Sequence, residues 1–225
     1  MLVTKYQLTL HDSLYYSTRE MGRLYETEKY IHNWALTYAL GLVQKDYFCP
    51  SSVPTYQEDL TPLNQTGVYV TPAKPIRYEY ILNTFKLADN KYRAIMSNEM
   101  KRQLGIRITN KPSYGRAKEI AAESEFEFYV MGTPIKPIPK WIRLGLWMSK
   151  ARINQVGVSF NLQPQYGRFT CAHPLNPLDL LLRPELYDLI SMPPISLVCN
   201  ATLQGKYVQV GEISLPVEMR YFGAS

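Results

Sequence analysis

The chain opens on alternation. Leu2, Tyr6, Leu8 and Leu10 share one face, with Thr4 completing the period of two, the pattern of a strand buried on at least one side. A strand over 2–10, central to a sheet, is predicted, ended by His11 and Asp12. The polar-aromatic stretch 13–28 then reads as a connection. Thr27 suits an N-cap and Glu28 a first helical turn. From there Ile31, Trp34, Ala35, Tyr38, Ala39 and Leu42 recur at three- and four-residue spacing, predicting a helix over 28–45 with one buried stripe.

Residues 46–76 carry Pro50, Pro54, Pro62, Pro72 and Pro75 and predict a long irregular connection. A strand is expected around 77–82. A second covers SEFEFYVMG, where Phe126, Phe128 and Val130 oppose Glu125, Glu127 and Tyr129. In 134–153, Pro139 suits the first turn of a short helix presenting Trp141, Leu144, Gly145 and Met148. QVGVSFNL reads as a strand or hairpin arm and 184–190 as a short helix. SLVCNATL, KYVQVG and PVEMRYF alternate as a closing β-meander. Tyr6, Leu8, Leu10 and the three tryptophans, Trp34, Trp141 and Trp147, are assigned to the core.

Between the two middle strands lies the most polar part of the chain. Residues 84–118 hold nine basic residues against Asp89 and Glu99, a net charge of +7 where the whole chain carries +6. The basic residues are Lys86, Lys91, Arg93, Lys101, Arg102, Arg107, Lys111, Arg116 and Lys118. Such a segment repels itself when free and gains by meeting a polyanion, because each phosphate neutralised releases a counterion. Tyr92, Tyr114, Asn110, Gly105 and Gly115 are interleaved with the charges; rings stack on bases and glycines admit close backbone approach. The segment is read as a basic, hairpin-like arm projecting from the sheet.

Composition narrows the class. With 225 residues, 46% hydrophobic and 20% charged, the chain is a single globular domain, 1–225, with one insertion. Its pI near 9.1 favours an anionic partner. Cys49, Cys171 and Cys199 show no CxxC spacing, which gives neither a disulfide framework nor a zinc site and suits a reducing cytoplasm. The N-terminus is no signal peptide, and the longest apolar run, 34–43, is too short for a membrane span. His11, His32 and His173 form no HExxH pattern, no phosphate loop is present, and Asp12, Glu20, Glu26 and Glu28 lack the spacing of a magnesium site. No metal or other cofactor is expected.

The order of elements suggests an α+β, ferredoxin-like domain of the RNA-recognition type with an inserted basic arm over 84–118. Three stretches, SLYYSTREMGRLYETEKYIHNWALTYALGL, PKWIRLGLWMSKARI and AHPLNPLDL, closely resemble the Cas-five-type (Csc-one) subunit of type I-D CRISPR Cascade, within the RAMP superfamily. The resemblance runs over most of the chain, less so over 46–76. It implies a single-copy subunit of a crRNA-guided antiviral surveillance complex. Such a subunit grips the 5′ handle of the guide, caps the backbone filament, and contacts the adjacent backbone subunit and the large subunit, near the motif beside the DNA target. The arm would be a thumb over the nucleic acid. Three groups would carry RNA: Tyr16, Arg19 and Arg23 in the first loop; Lys101, Arg102, Arg107, Lys111, Arg116 and Lys118 in the arm; and Arg143, Lys150 and Arg152 beside Trp141.

Alternatives stay open at this level. Relatives in the superfamily cleave repeat RNA without metal, and His32, with Tyr16 or Tyr30, offers a group titrating near neutrality. Catalysis is not expected, because a histidine at a helix start is more often structural. A generic RNA-binding module and an adaptor docking an acidic protein complete the set.

Overall fold

In the computed structural model, residues 1–43, 54–87, 103, 105 and 113–223 are described. Strands dominate. The first half contains β1 (Val3–Leu10), β2 (Arg19–Met21), β3 (Leu24–Glu26), α1 (Asn33–Ala39), α2 (Tyr56–Leu60), β4 (Tyr69–Val70), β5 (Lys74–Arg77) and β6 (Tyr80–Leu87). Then follow β7 (Ser113–Ile120), β8 (Glu125–Met131), β9 (Trp141–Leu144) and β10 (Ser149–Ser159). The chain closes with β11 (Gln165–Cys171), β12 (Leu186–Ile190), β13 (Leu197–Val210) and β14 (Ile213–Pro216).

The predicted N-terminal strand is central. β1 lies between β8 and β10 in the order β4-β8-β1-β10-β9, with β5 also on β8. Tyr6, Leu8 and Leu10 are buried together with Phe126, Phe128 and Val130 of β8 and Leu36 and Leu40 around α1. The opposite face of β8 is covered too. Tyr129 and Met131 pack with Val3 against Phe169 and Cys171 of a C-terminal sheet, in which β11 and β12 flank β13 and β14 pairs its far end. Alternation alone puts Tyr129 on a polar face; the second sheet turns that face into core. A third sheet has the order β2-β3-β7-β6.

The predicted helices contract or disappear. Helix α1 covers only Asn33–Ala39, capped by His32, whose Nδ1 accepts from the Trp34 amide at 3.2 Å. Thr27 is taken elsewhere: its Oγ1 donates to the Tyr16 carbonyl at 2.9 Å and accepts from the Tyr16 amide at 3.1 Å. Ile31 exchanges main-chain bonds with Ala73, which holds it extended, and Gly41 at φ +69° follows the helix end. Residues 134–153 form no helix: β9 and β10 pair there as a hairpin. Ile142, Leu144, Ala151 and Ile153 point inward and Trp141, Arg143, Lys150 and Arg152 outward. Residues 184–190 contain strand β12 rather than a helix, since Leu186, Asp188 and Leu189 find partners on β13. The first two expected meander strands are one strand, β13, running through Gly205, while β14 ends at Pro216, so most of 216–222 is not strand. Trp34 is core, but Trp141 is 44% and Trp147 53% exposed. Cys171 and Cys199 are buried and unbridged.

A polar seam crosses the core. Asp179 is buried and its carboxylate accepts from Asn33 Nδ2 (2.7 Å), Tyr69 OH (3.1 Å), Trp34 Nε1 (3.2 Å) and the Phe222 amide (3.0 Å). Thr37 meets Tyr221 OH at 2.7 Å, and the same hydroxyl accepts from the Val70 amide. His173 Nε2 lies 2.9 Å from both Thr71 Oγ1 and the Pro72 carbonyl. Burial pushes Asp179 up from 3.8 to about 6 and lowers His32 from 6.5 to about 4 and His173 to about 3.

The seam makes the fold sensitive to mutation and to acid. Asp179→Ala strands four buried donors and should destabilise the fold by about 3 kcal/mol or more; an unchanged urea midpoint would contradict the hub. Acid acts through the histidines. Between pH 6.5 and about 4 the unfolded chain protonates both of them while the fold keeps them neutral, so stability falls with acidification. Asp179 opposes this: between about 6 and 3.8 the fold alone holds its proton, so it favours the folded state as pH falls. Two histidines outweigh one carboxyl, and stability should drop by about 2 kcal/mol from pH 7 to pH 5. Urea unfolding at the two pH values measures it; a rise would refute neutral burial of the histidines.

Candidate nucleic-acid interface

The third sheet joins two stretches far apart in sequence. β3 runs parallel to β7, pairing Leu24 with Arg116 and Glu26 with Lys118, and β2 turns back on β3 with Arg19 opposite Glu26. The Arg116 amide donates to the Arg23 carbonyl at 2.8 Å. Arg19 and Arg23 of the first loop therefore meet Arg116 and Lys118 of the basic segment on one small sheet. Glu26 forms ion pairs with Arg19 at 3.7 Å and with Lys118 at 3.3 Å. Such part-exposed pairs add little stability but orient the cations. β6 and β7 pair antiparallel from Tyr80↔Ile120 to Leu87↔Ser113. Lys101, Arg102, Arg107 and Lys111 lie outside the described residues.

Sequence reasoning misses an aromatic-cation cluster beside this sheet. Lys118 Nζ stands 4.3 Å from the Tyr80 ring centroid, and Lys29 Nζ lies 5.6 Å from Tyr30 and 5.7 Å from Tyr78. Burial, helped by Cys199 and Glu28, pushes Tyr30 up to about 12. The alternation of Tyr78 and Tyr80 across Glu79 is the signal that could have found it.

The block around Trp141 divides. Trp141, Arg143 and Lys150 converge with Tyr16, Tyr38 and His32 on a groove of about 850 Å³ between the first loop, α1 and the β9–β10 tip. Lys150 Nζ sits 4.2 Å from the Trp141 ring centroid, and His11 meets the same residue edge-on at 4.8 Å. Arg152 shares the exposed hairpin face but lines a separate cleft of about 460 Å³ with Lys136 and Lys140. His32, the histidine that lines the groove, is buried and stays neutral at pH 7.

The tip is held tightly. Gly145 has φ +73°, the Leu146 amide donates to the Tyr15 carbonyl at 2.9 Å, and Trp147 stacks on Tyr15 at 4.5 Å. A Cβ at Gly145 would stand 2.6 Å from that carbonyl oxygen.

A family model described as "Type I-D CRISPR-associated protein Cas5/Csc1" matches residues 1–224. No curated protein matches the chain. Among solved structures, a chain of "Cryo-EM structure of the Type III-B Cmr-beta bound to cognate target RNA and AMPPnP, state 1" is similar over 91% of this chain and 85% of its own length. The identity is 12% and the TM-score 0.41. Among the described residues, no helix is long and apolar enough to cross a membrane.

Gly145→Ala should cost about 2 kcal/mol, because both the positive φ and the Tyr15 carbonyl oppose a methyl group. It should also loosen the Tyr15–Trp147 stack. Thermal unfolding and tryptophan emission report the two effects, and a variant of unchanged stability would deny the close approach.

Proposed function

The chain belongs to the type I-D Cas5/Csc1 family of CRISPR-associated proteins, and from that premise we propose that it binds the 5′ handle of the guide RNA without cleaving it. In this reading the β6–β7 pair is the stem of an inserted thumb on a RAMP-type, ferredoxin-derived sheet. The protein caps the backbone filament, touching the adjacent backbone subunit and the large subunit near the motif beside the DNA target.

The supporting observation is convergence. Arg19, Arg23, Arg116 and Lys118 come from separate parts of the sequence and share one sheet, whose β6–β7 end leads into the segment carrying Lys101, Arg102, Arg107 and Lys111. Arginine forks take phosphate oxygens in pairs and stack on bases, while lysine acts as a point charge. Tyr78, Tyr80 and Tyr114 add rings beside the cations, the combination that suits splayed single-stranded bases. Against cleavage stands His32. Its burial and its role as helix cap leave it without the near-neutral titration an acid-base catalyst needs.

Labelled repeat RNA in EDTA tests the reading. The wild type should bind without cutting, and Arg23→Glu combined with Arg116→Glu should weaken binding about tenfold. The slope of log K against log salt should fall by about 1.4, roughly 0.7 for each single-strand phosphate no longer neutralised. Unchanged affinity and slope would remove this face from the interface. Cleavage at one phosphodiester, abolished in His32→Asn, which keeps a capping side chain, would make the protein a processing nuclease.

A further inference from the structure

We propose that the groove beneath the β9–β10 tip is a docking site for another protein chain: an apolar segment flanked by acidic residues. The inference goes beyond guide binding and takes Tyr16, Arg143 and Lys150 from the RNA to a protein partner.

The lining is mainly apolar. Leu144, Leu146, Met148, Met192 and Pro193 surround the tyrosine rings, and among the described residues the only charged side chains there are Arg143 and Lys150, with no carboxylate. Among those residues, too, neither cation has an ion pair. The tip shows its large side chains to solvent: Leu146 is 65% and Met148 59% exposed, beside Trp141 and Trp147. Globular chains rarely expose contiguous patches of this kind without a binding role, and tryptophan and methionine are enriched where interfaces bury most deeply. The Tyr15 contacts and the Met148 amide, donating to the Gly145 carbonyl at 3.2 Å, hold the tip in shape, so little ordering cost remains for docking.

A nucleobase fits less well. Reading a base requires polar groups left over for its edges, and the hydroxyls of Ser17 and Thr18 are already engaged. Thr18 Oγ1 donates to the Glu26 carbonyl at 2.9 Å, Ser17 Oγ to Glu20 at 3.4 Å, and Arg143 Nη1 to the Met148 carbonyl at 3.0 Å. The groove is chiefly an apolar slot, with two cations and the buried imidazole of His32 in its lining. That charge pattern complements carboxylates flanking an apolar anchor, and it steers and registers such a segment. A cavity of about 850 Å³ is at the large end for a small ligand and takes several side chains.

The test uses the guide–protein complex assembled around the full chain and so relies on membership of such an assembly. p-Benzoylphenylalanine replaces Leu146; the complex is irradiated and the adducts are mapped by mass spectrometry. The expected adduct is on another subunit, in a segment whose apolar residues are flanked by Asp or Glu. Arg143→Glu with Lys150→Glu should lower its yield about tenfold while thermal stability and bound guide stay unchanged. An adduct on RNA, on a basic segment or on the chain's own residues 44–53 would overturn the proposal, and so would no adduct. Loss of guide from the unmodified complex would instead count against the RNA reading, and the protein adduct can still be scored.

Discussion

One buried carboxylate holds the architecture together. Asp179 is buried and accepts from three side chains, Asn33, Trp34 and Tyr69, and from the amide of Phe222. A buried carboxyl is tolerated only with its lone pairs filled, and here the donors come from α1, β4 and the C-terminal segment. Asn176 Nδ2 reaches Asn33 Oδ1, and Tyr221 closes the network onto Thr37 and the Val70 amide. Satisfied networks of this kind favour one arrangement over its near neighbours. They therefore fix where the short helix α1 begins, and with it one wall of the groove.

The outward surfaces follow from strand alternation once that frame is set. On β9 and β10 the inward residues are small or aliphatic, and every outward one among Trp141, Arg143, Lys150 and Arg152 is aromatic or basic. On the third sheet the parallel pairing of β3 with β7 places Glu26 beside Lys118, so a carboxylate spaces the cations and limits their repulsion. The two surfaces are joined by residues 16–18. Tyr16 bonds through its main chain to Thr27 beside the basic sheet, while Tyr16, Ser17 and Thr18 also line the groove. One short loop serves both faces, so a partner in the groove sits close to the proposed RNA path.

The candidate site is readable in the sequence as residue types and not as neighbourhoods. Arg19, Arg23, Arg116 and Lys118 stand out by charge and aromatic company, and the structure brings them to one sheet. Arg152 looks equivalent to Lys150 in sequence yet lines a different cleft, with Lys136 and Lys140. Lys29 and Tyr80 do not stand out, because their clustering with Tyr78 depends on how β5 and β6 pass the segment before α1. Size alone places Trp141 and Trp147 in the core, since tryptophan is usually well buried. The hairpin turn at Gly145 puts both outside, where their apolar area becomes available to a partner.

By itself the sequence determined the strands whose alternation is local, β1 and β8, the concentration of positive charge in 84–118 and the membership of the family. Those depend on neighbours within a few residues or on direct similarity, and no long-range partner alters them. The tertiary structure decided the rest. Over 141–148 apolar residues satisfy helical and strand spacing alike, and the pairing of β9 with β10 breaks the tie. Over 28–32 a helical pattern gives way because Thr27 and Ile31 find partners in Tyr16 and Ala73. A backbone group satisfied by a distant segment no longer needs its local helix, and that competition cannot be read from spacing along the chain.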